Sequence, residues 1–179
     1  MKNIVLIGMP GCGKSTVGVV LAKAMGYRFT DSDLVIQEKD GRLLSEIIEQ
    51  DGIDGFNKIE NEINAGLDVQ NSVIATGGSV IYGKDAMQHL KETGVVVYIR
   101  LPYKKIKKRL GDLKKRGVSI REGQSLRSLY DERVPLYEEY ADIIIDEDNR
   151  KIAETALYIK KKFLKYLKRS KKDVDNEQG

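Results

Sequence analysis

The chain has 179 residues, of which 41% are hydrophobic and 32% are charged, and its formal net charge is +4. These values are typical of a globular chain of single-domain size and exclude a disordered or fibrous one. No apolar run approaches the roughly 18 residues needed to cross a bilayer, and the apolar stretch at residues 4–7 is too short for a signal peptide. The single cysteine excludes an intrachain disulfide and a cysteine-based zinc site. We therefore expect a cytoplasmic protein.

The positive charge is concentrated at the C-terminal end. Residues 151–179 contain nine Lys and Arg against four acidic residues, whereas the first 150 residues contain 22 basic and 23 acidic side chains. The excess favours a solvated basic helix over a polyanion-binding surface. We expect neither a nucleic-acid nor a membrane partner, and we expect residues 169–179 to form a polar, disordered tail.

Short apolar segments alternate with helical patterns along the chain. Strands are predicted at Asn3–Ile7, Tyr27–Thr30, Ser72–Thr76, Val95–Leu101 and Ile143–Asp146. Helices are predicted at Lys14–Met25, Leu34–Glu38, Leu43–Gln50, Phe56–Leu67, Lys84–Glu92, Tyr103–Leu110 and Ser125–Tyr140. Strands separated by helices imply right-handed crossovers and a parallel sheet covered on both faces. The pattern predicts one α/β domain.

A phosphate-binding loop follows the first strand. Residues 8–16 read Gly-Met-Pro-Gly-Cys-Gly-Lys-Ser-Thr and fit the pattern G-x-x-x-x-G-K-[ST]. Glycines in this pattern turn backbone N–H groups inward around an anion, and the N-terminus of the following helix adds partial positive charge. We expect Lys14 to reach the β- and γ-phosphates of ATP and Ser15 to offer its hydroxyl to Mg²⁺. The predicted nucleotide-binding residues also include Gly11, Cys12, Gly13 and Thr16.

Two further strand ends carry candidate site residues. Asp31 and Asp33 end the second strand, where one carboxylate can hold the Mg²⁺ shell and the other can accept a proton from a substrate hydroxyl. Alternatively, Asp33 caps the following helix. Gly77 and Gly78 follow the third strand and allow a ligand to approach the backbone closely, although a plain turn would explain them as well.

Three arginines later in the chain are candidates for phosphate or carboxylate binding: Arg109, Arg116 and Arg133. Arginines that reach a phosphate site can stabilise charge in the transition state. Taken singly, Arg109 is better explained as a solvated helix residue, and Arg133 is equally uninformative.

Together these motifs resemble the shikimate kinase family over roughly residues 1–155. The resemblance implies a three-layer P-loop kinase fold with a five-stranded parallel sheet in the order 2-3-1-4-5. It also implies one domain over residues 1–168, with a substrate-binding subdomain at about 33–67 and a lid at about 111–124. The implied reaction transfers phosphate from ATP, with Mg²⁺, to the 3-hydroxyl of shikimate in aromatic amino acid biosynthesis. We expect a monomer.

The resemblance also assigns roles to individual residues. It implies that Asp31 lies near the metal, and that Asp33 binds the acceptor hydroxyls and takes the proton of the attacking one. It implies that Arg116 contacts the γ-phosphate and that Arg109 stacks on adenine. Gly77 and Gly78 would line the acceptor site, and Arg133 would pair with the acceptor's carboxylate.

The sequence departs from the family pattern at the acceptor site. The family's stretch Asp-Gly-x-x-x-Phe-Arg-x-x-Glu places an arginine on the same carboxylate, and here the position is Asn57. Lys58 is turned by about 100° around a helix and lacks the bidentate fork of arginine. Losing one partner of such a pair costs about 2–5 kcal/mol.

Two smaller departures lie nearby, and they leave other functions open. The glycine stretch begins with Thr76 and ends in Ser79, and the lid reads Arg-Gly-Val-Ser at residues 116–119. A kinase for another polyol or hydroxy acid is one alternative, because Asn57 suits a hydroxyl or amide on the acceptor. A non-catalytic nucleotide-binding regulator is another, but Asp33, Arg116 and Arg133 argue against it.

Overall fold

The computed structural model describes residues 2–110, 118–147 and 150–177. Its strands are β1 (Asn3–Ile7), β2 (Arg28–Asp31), β3 (Ser72–Ala75), β4 (Gly94–Arg100) and β5 (Ile143–Asp146). Its helices are α1 (Lys14–Met25), α2 (Ser32–Asp40), α3 (Leu44–Ala65), α4 (Lys84–Thr93), α5 (Tyr103–Leu110), α6 (Leu126–Tyr140) and α7 (Ile152–Glu177), with a 3₁₀ turn at Val80–Tyr82.

The five strands form one parallel sheet in the order β2-β3-β1-β4-β5, which confirms the predicted fold class and strand order. The three inner strands are buried at nearly every position, because helical crossovers cover both faces of a parallel sheet. In the register of the sheet, Ile4 of β1 lies beside Val73 of β3 and Val95 of β4.

The strand order sets the position of the site. β3 lies between β1 and β2, so the segments that follow these three strands meet at one edge of the sheet. Those segments are the loop before α1, the start of α2 and the glycine pair after β3. Residues that are far apart in the chain are thereby brought to the crevice where ligands bind in open α/β sheets.

The sequence prediction placed separate helices at Leu43–Gln50 and Phe56–Leu67, and α3 is indeed two helical halves that meet at a kink, although the break is narrower than predicted. The structure contains one element, Leu44–Ala65, with a break at Gly52, where φ is 71° and ψ is 178°. This backbone conformation is accessible almost only to glycine. The two helical halves therefore meet at Gly52, and residues 51 and 53–55, which the prediction left between the helices, are helical.

The C-terminal segment also differs from the prediction of a disordered tail at residues 169–179, because α7 extends to Glu177. Lysine, arginine and glutamate favour helix, so a polar segment that follows a packed helix can continue it. Of the predicted lid at 111–124, residues 111–117 lie outside the described part of the chain. Within that part, no helix is long and apolar enough to cross a membrane.

Candidate active site

The loop between β1 and α1 places a buried cation at the start of α1. Gly11 and Gly13 have φ values of 77° and 101°, which a side chain would strain. The Nζ of Lys14 donates to the carbonyl oxygens of Gly8 at 2.8 Å and Met9 at 3.1 Å, and only 8% of the residue is exposed. The loop thus holds one positive charge beside the helix N-terminus, an arrangement suited to phosphate groups.

Asp31 connects the second strand to this loop. Its Oδ2 accepts a hydrogen bond from the hydroxyl of Ser15 at 2.8 Å, and its Oδ1 accepts one from the backbone N–H of Asp33 at 3.1 Å. Asp31 is therefore the N-cap of α2. The alternative in which Asp33 caps this helix is wrong, and the Asp33 side chain is left for another role.

Two carboxylates lie beside Gly77, that of the half-buried Asp33 and that of the fully buried Glu60. A methyl group at Gly77 would be 2.9 Å from Oδ1 of Asp33 and would overlap Oε1 of Glu60. Oδ1 of Asp33 and both carboxylate oxygens of Glu60 lack a hydrogen-bond partner among the described residues. Unpartnered buried oxygens are costly, so these atoms are suited to a ligand that brings hydrogen-bond donors.

Burial raises the pKa of both carboxyl groups. The pKa of Asp33 rises to about 6, with the negative charge of Asp31 adding to the shift and Lys14 opposing it. The pKa of Glu60 rises to about 7 because of its burial and the charge of Asp33, while Ser79, Arg133 and Lys14 oppose the shift. A carboxylate with a pKa near neutrality is a competent proton acceptor at physiological pH.

Arg133 forms the opposite wall of the site and is only 1% exposed. Its Nε donates to the hydroxyl of Tyr82 at 3.3 Å, and its Nη2 donates to the carbonyl oxygen of Ser119 at 2.8 Å. Its Nη1 faces Gly78, where a methyl group would lie 3.0 Å away. The guanidinium is thus fixed by the protein on one side and open to the glycine pair on the other.

Lys14, Asp33 and Arg133 line one cleft of about 540 Å³, and Glu60 lies beside Gly77, which also lines it. Its lining includes the predicted residues Gly11, Gly13, Lys14, Ser15, Thr16, Asp33, Gly77, Gly78 and Arg133. It also includes Pro10, Leu44, Phe56, Thr76, Ser79, Leu110, Val118 and Ser119. The volume is within the usual range for small-molecule sites, and the polar groups converge from four different segments.

Other predicted residues lie at the margins of the cleft. Nη1 of Arg109 donates to the carbonyl oxygens of Gly11 and Cys12, each at 3.4 Å, so this arginine lies at the outer edge of the loop. The Cys12 side chain is buried in the hydrophobic core. Asn57 lines a narrow neighbouring cavity instead of the cleft. Arg116 lies outside the described residues.

Sequence reasoning did not select Glu60 as a site residue. The signal was present, because Glu60 follows Asn57 by three positions and therefore shares its helix face. Burial is what separates Glu60 from the other acidic residues of α3, and burial depends on contacts with α2 and the glycine pair. The same applies to Tyr82 and Ser119, whose contacts with Arg133 join distant parts of the chain.

The residues near the loop fit a magnesium ion bound together with nucleotide. Ser15 and Asp31 offer oxygen atoms, which are the ligands Mg²⁺ prefers. In the described ranges no three His, Cys, Asp or Glu side chains cluster as a metal site.

Comparisons with known proteins agree with this geometry. The family model for shikimate kinase matches residues 10–164. A shikimate kinase of Actinobacillus succinogenes is 41% identical over 154 residues, covering 83% of this chain and 87% of that protein. One from Haemophilus influenzae is 38% identical over 158 residues, covering 84% of this chain and 87% of that protein.

Solved structures agree as well. Shikimate kinase from Acinetobacter baumannii, in complex with shikimate, has a TM-score of 0.83 and 34% identity, covering 92% of this chain and 94% of that one. The enzyme from Aquifex aeolicus has a TM-score of 0.77 and 31% identity, covering 93% and 96%. The fold and the site thus define an ATP-dependent phosphotransferase that acts on a hydroxyl group. Within that class, the chain belongs to the shikimate kinase family.

Proposed function

We propose that the protein transfers the γ-phosphoryl group of ATP to the 3-hydroxyl of shikimate, as an enzyme of aromatic amino acid biosynthesis in the cell interior. One observation carries this proposal. The unpartnered, buried Oδ1 of Asp33 lies in a cleft that has the phosphate loop on one side and Arg133 on the other. A hydroxyl placed at Asp33 is therefore between a phosphate site and an anion-binding arginine.

In the proposed reaction, Asp33 accepts the proton of the acceptor hydroxyl while that oxygen attacks the γ-phosphorus. The bond between this phosphorus and the β,γ-bridging oxygen breaks, and ADP leaves. Lys14 neutralises charge on the β- and γ-phosphates, and the backbone of residues 8–13 cradles them. Arg109 flanks the nucleotide at the outer edge of the loop. Catalysis is mainly positioning and electrostatic stabilisation.

Ser15 and Asp31 would hold Mg²⁺. When bound with ATP, the ion neutralises charge on the phosphate oxygens. The hydrogen bond between these two residues keeps the Ser15 hydroxyl turned towards the carboxylate. Gly77 and Gly78 leave room for the acceptor, and Arg133 pairs with its carboxylate. Glu60 accepts a hydrogen bond from an acceptor hydroxyl beside Asp33.

A second candidate is phosphorylation of another hydroxylated acceptor, which Asn57 favours. Its Oδ1 is buried and has no hydrogen-bond partner among the described residues, so this position offers an acceptor atom instead of a positive charge. An acceptor with a hydroxyl or amide at that end would satisfy it.

The test is Mg²⁺-dependent release of ADP from ATP, measured with and without millimolar shikimate. We expect shikimate to stimulate release, and Asp33→Asn to reduce the stimulated rate about 10²–10⁴-fold, the usual contribution of a positioned base. Nucleotide binding by that variant is the control for folding. If shikimate does not increase ADP release by the wild type, shikimate is not the acceptor. A screen of polyols and hydroxy acids would then follow.

A further inference from the structure

A narrow cavity adjoins the cleft on the side away from the phosphate loop. It shares Ser119 and Arg133 with the cleft and measures about 10 Å³. Its lining consists of Ile53, Asn57, Tyr82, Ser119, Arg121, Gln124, Leu129, Glu132 and Arg133. Arg133 therefore lines both cavities, whereas Asn57 and Arg121 line only the narrow one.

Two nitrogens of the Arg133 guanidinium already donate hydrogen bonds within the protein. Its Nε and Nη2 donate to Tyr82 and Ser119, and the guanidinium lies 5.4 Å from the ring centroid of Tyr82. These contacts fix its position but commit two of its three nitrogens. An ionised carboxylate has about four lone-pair directions to satisfy. A carboxylate bound at Arg133 therefore still needs another donor.

Arg121, in contrast to Arg133, has a guanidinium whose donors are all available to a ligand. It is exposed, and its guanidinium has no hydrogen bond or ion pair with the described residues, although its backbone N–H donates to Gln124 at 3.3 Å. In the same cavity, Oδ1 of Asn57 is buried and accepts no hydrogen bond from the described residues. The cavity thus pairs an uncommitted cation with an unsatisfied acceptor atom.

The other candidate cations lie at the phosphate loop. Lys14 is held by the carbonyl oxygens of Gly8 and Met9, and Arg109 donates to those of Gly11 and Cys12. Among the described cations that line the two cavities, Arg121 and Arg133 are the pair on the acceptor side.

We propose that Arg121 is the second guanidinium that binds the carboxylate of the acceptor, in the space left open by the short side chain of Asn57. The Asn57 amide oxygen accepts a hydrogen bond from Arg121 and orients it towards Arg133. The carboxylate then lies between two arginines that come from opposite ends of the segment 121–133. This inference rests on the proposed function, because it requires an acceptor with a carboxylate.

The first experiment is steady-state kinetics of Arg121→Gln with shikimate and ATP. We expect KM for shikimate to rise about 10- to 100-fold, the usual effect of losing a charge-assisted hydrogen bond. KM for ATP should stay unchanged, because Lys14 and the loop are untouched. Arg127→Gln is the matched control, since Arg127 is exposed on α6, pairs with Asp131 and lines neither cavity.

A second experiment separates carboxylate binding from a general effect on the site. With shikimate methyl ester, which has no negative charge, wild type and Arg121→Gln should have similar KM values. In the Arg121→Gln background, Asn57→Arg should restore affinity for shikimate, because it supplies a guanidinium to the same cavity from α3. The same substitution in the wild type should have a smaller effect.

The outcomes distinguish this inference from the function on which it rests. If the wild type phosphorylates shikimate and Arg121→Gln leaves its KM unchanged, Arg121 has no role and the proposed function stands. An equal rise in KM for ATP, or a loss that persists with the ester, would also overturn the role of Arg121. If the wild type neither binds nor phosphorylates shikimate, both proposals fail.

Discussion

Asp33 and Glu60 are costly residues for this fold, because each is a carboxyl group withdrawn from water with an unpartnered oxygen. Their pKa values of about 6 and about 7 express that cost. A binding site can carry such groups when a ligand supplies the missing hydrogen bonds. Both carboxylates lie beside Gly77, so a ligand with donors at this point could satisfy both of them.

The pKa of Asp33 predicts the pH dependence of activity. Only the ionised carboxylate can accept a proton, so kcat/KM for the acceptor should rise with pH and level off above an apparent pKa of about 6. The measurement is a profile of kcat/KM for shikimate at saturating ATP. A profile that stays flat down to about pH 4, the ordinary range of aspartate, would contradict this expectation.

The pKa of Glu60 predicts the pH dependence of stability. A raised carboxyl pKa means that the folded protein holds the proton more tightly than the unfolded chain does. The contribution of Glu60 to stability is therefore lost as pH rises from 4.5, its ordinary value, to about 7. Glu60→Gln removes this titration, so the variant should gain up to about 3 kcal/mol relative to wild type between these pH values.

Urea unfolding at the two pH values measures this difference. Glu62→Gln is the control, because Glu62 is exposed on the same helix and its replacement should leave the pH dependence unchanged. Parallel pH dependences for wild type and Glu60→Gln would show that Glu60 is not the buried, titrating group.

Gly77→Ala should damage the acceptor site without damaging the nucleotide site. The added methyl group would overlap Glu60 and crowd Asp33 at 2.9 Å. We expect kcat/KM for the acceptor to fall at least about tenfold while ATP affinity is retained. A tenfold fall corresponds to an increase of about 1.4 kcal/mol in the activation free energy, because the acceptor is misplaced. Gly66→Ala is the matched control, because its methyl group meets only ordinary contacts at 3.6 Å and beyond. Equal kinetics for the two variants would contradict the crowding.

At the scale of elements, α3 couples the shape of the backbone to the acceptor site. The helix packs against α2 and α4, and a separate small core of Ile36, Ile47 and Phe56 holds α2 and α3 together. Asn57 and Glu60 both lie beyond the break at Gly52. The angle between the two halves of α3 therefore sets where these two side chains stand relative to the cleft.

Gly52→Ala tests this coupling. Nothing lies within 4 Å of the added methyl group, so the cost comes from the backbone conformation alone. We expect a loss of about 1–3 kcal/mol in unfolding free energy, or a change in the bend that raises KM for the acceptor. Lys58→Ala, an exposed position in the second half of the helix, is the control. Wild-type stability together with wild-type KM would show that the break is not strained for alanine.

At the scale of the whole molecule, α7 packs on α1 and completes the cover of the sheet. Its residues Ala156, Ile159 and Phe163 are fully buried. The Nζ of Lys160 donates to the carbonyl oxygen of Ala24 in α1 at 2.6 Å. Because α1 begins at the phosphate loop, the packing of α7 supports the nucleotide site from behind.

Phe163→Ala should cost about 3–5 kcal/mol of stability, the usual effect of deleting a buried aromatic side chain. Deletion of residues 168–179 is the matched comparison, because it removes basic residues beyond this buried contact. We expect the deletion to change stability by no more than about 0.5 kcal/mol and to leave kcat unchanged. Thermal unfolding and turnover of both variants test this, and a large loss of turnover on deletion would show that the tail has a functional partner.

The sequence predicted much of the nucleotide side and less of the acceptor side. Lys14, Ser15 and the loop glycines stand within nine consecutive residues, so their arrangement follows from local backbone geometry. Asp31 shows the limit of this reasoning, since its role as the cap of α2 depends on one hydrogen bond that spacing alone could not separate from a cap by Asp33. The sequence likewise predicted two helices in α3 but not that a single residue, Gly52, separates them.

The sequence by itself determined the alternation of strands and helices, the phosphate loop and the family. Each of these depends on patterns among residues that are close together in the chain. Only the tertiary structure decided which side chains share the acceptor site. Glu60 meets Asp33 at Gly77, and Arg121 and Asn57 share a cavity with Arg133, because the sheet brings together segments that are far apart in the chain. Burial and the resulting pKa values are properties of that assembly, and no local pattern encodes them.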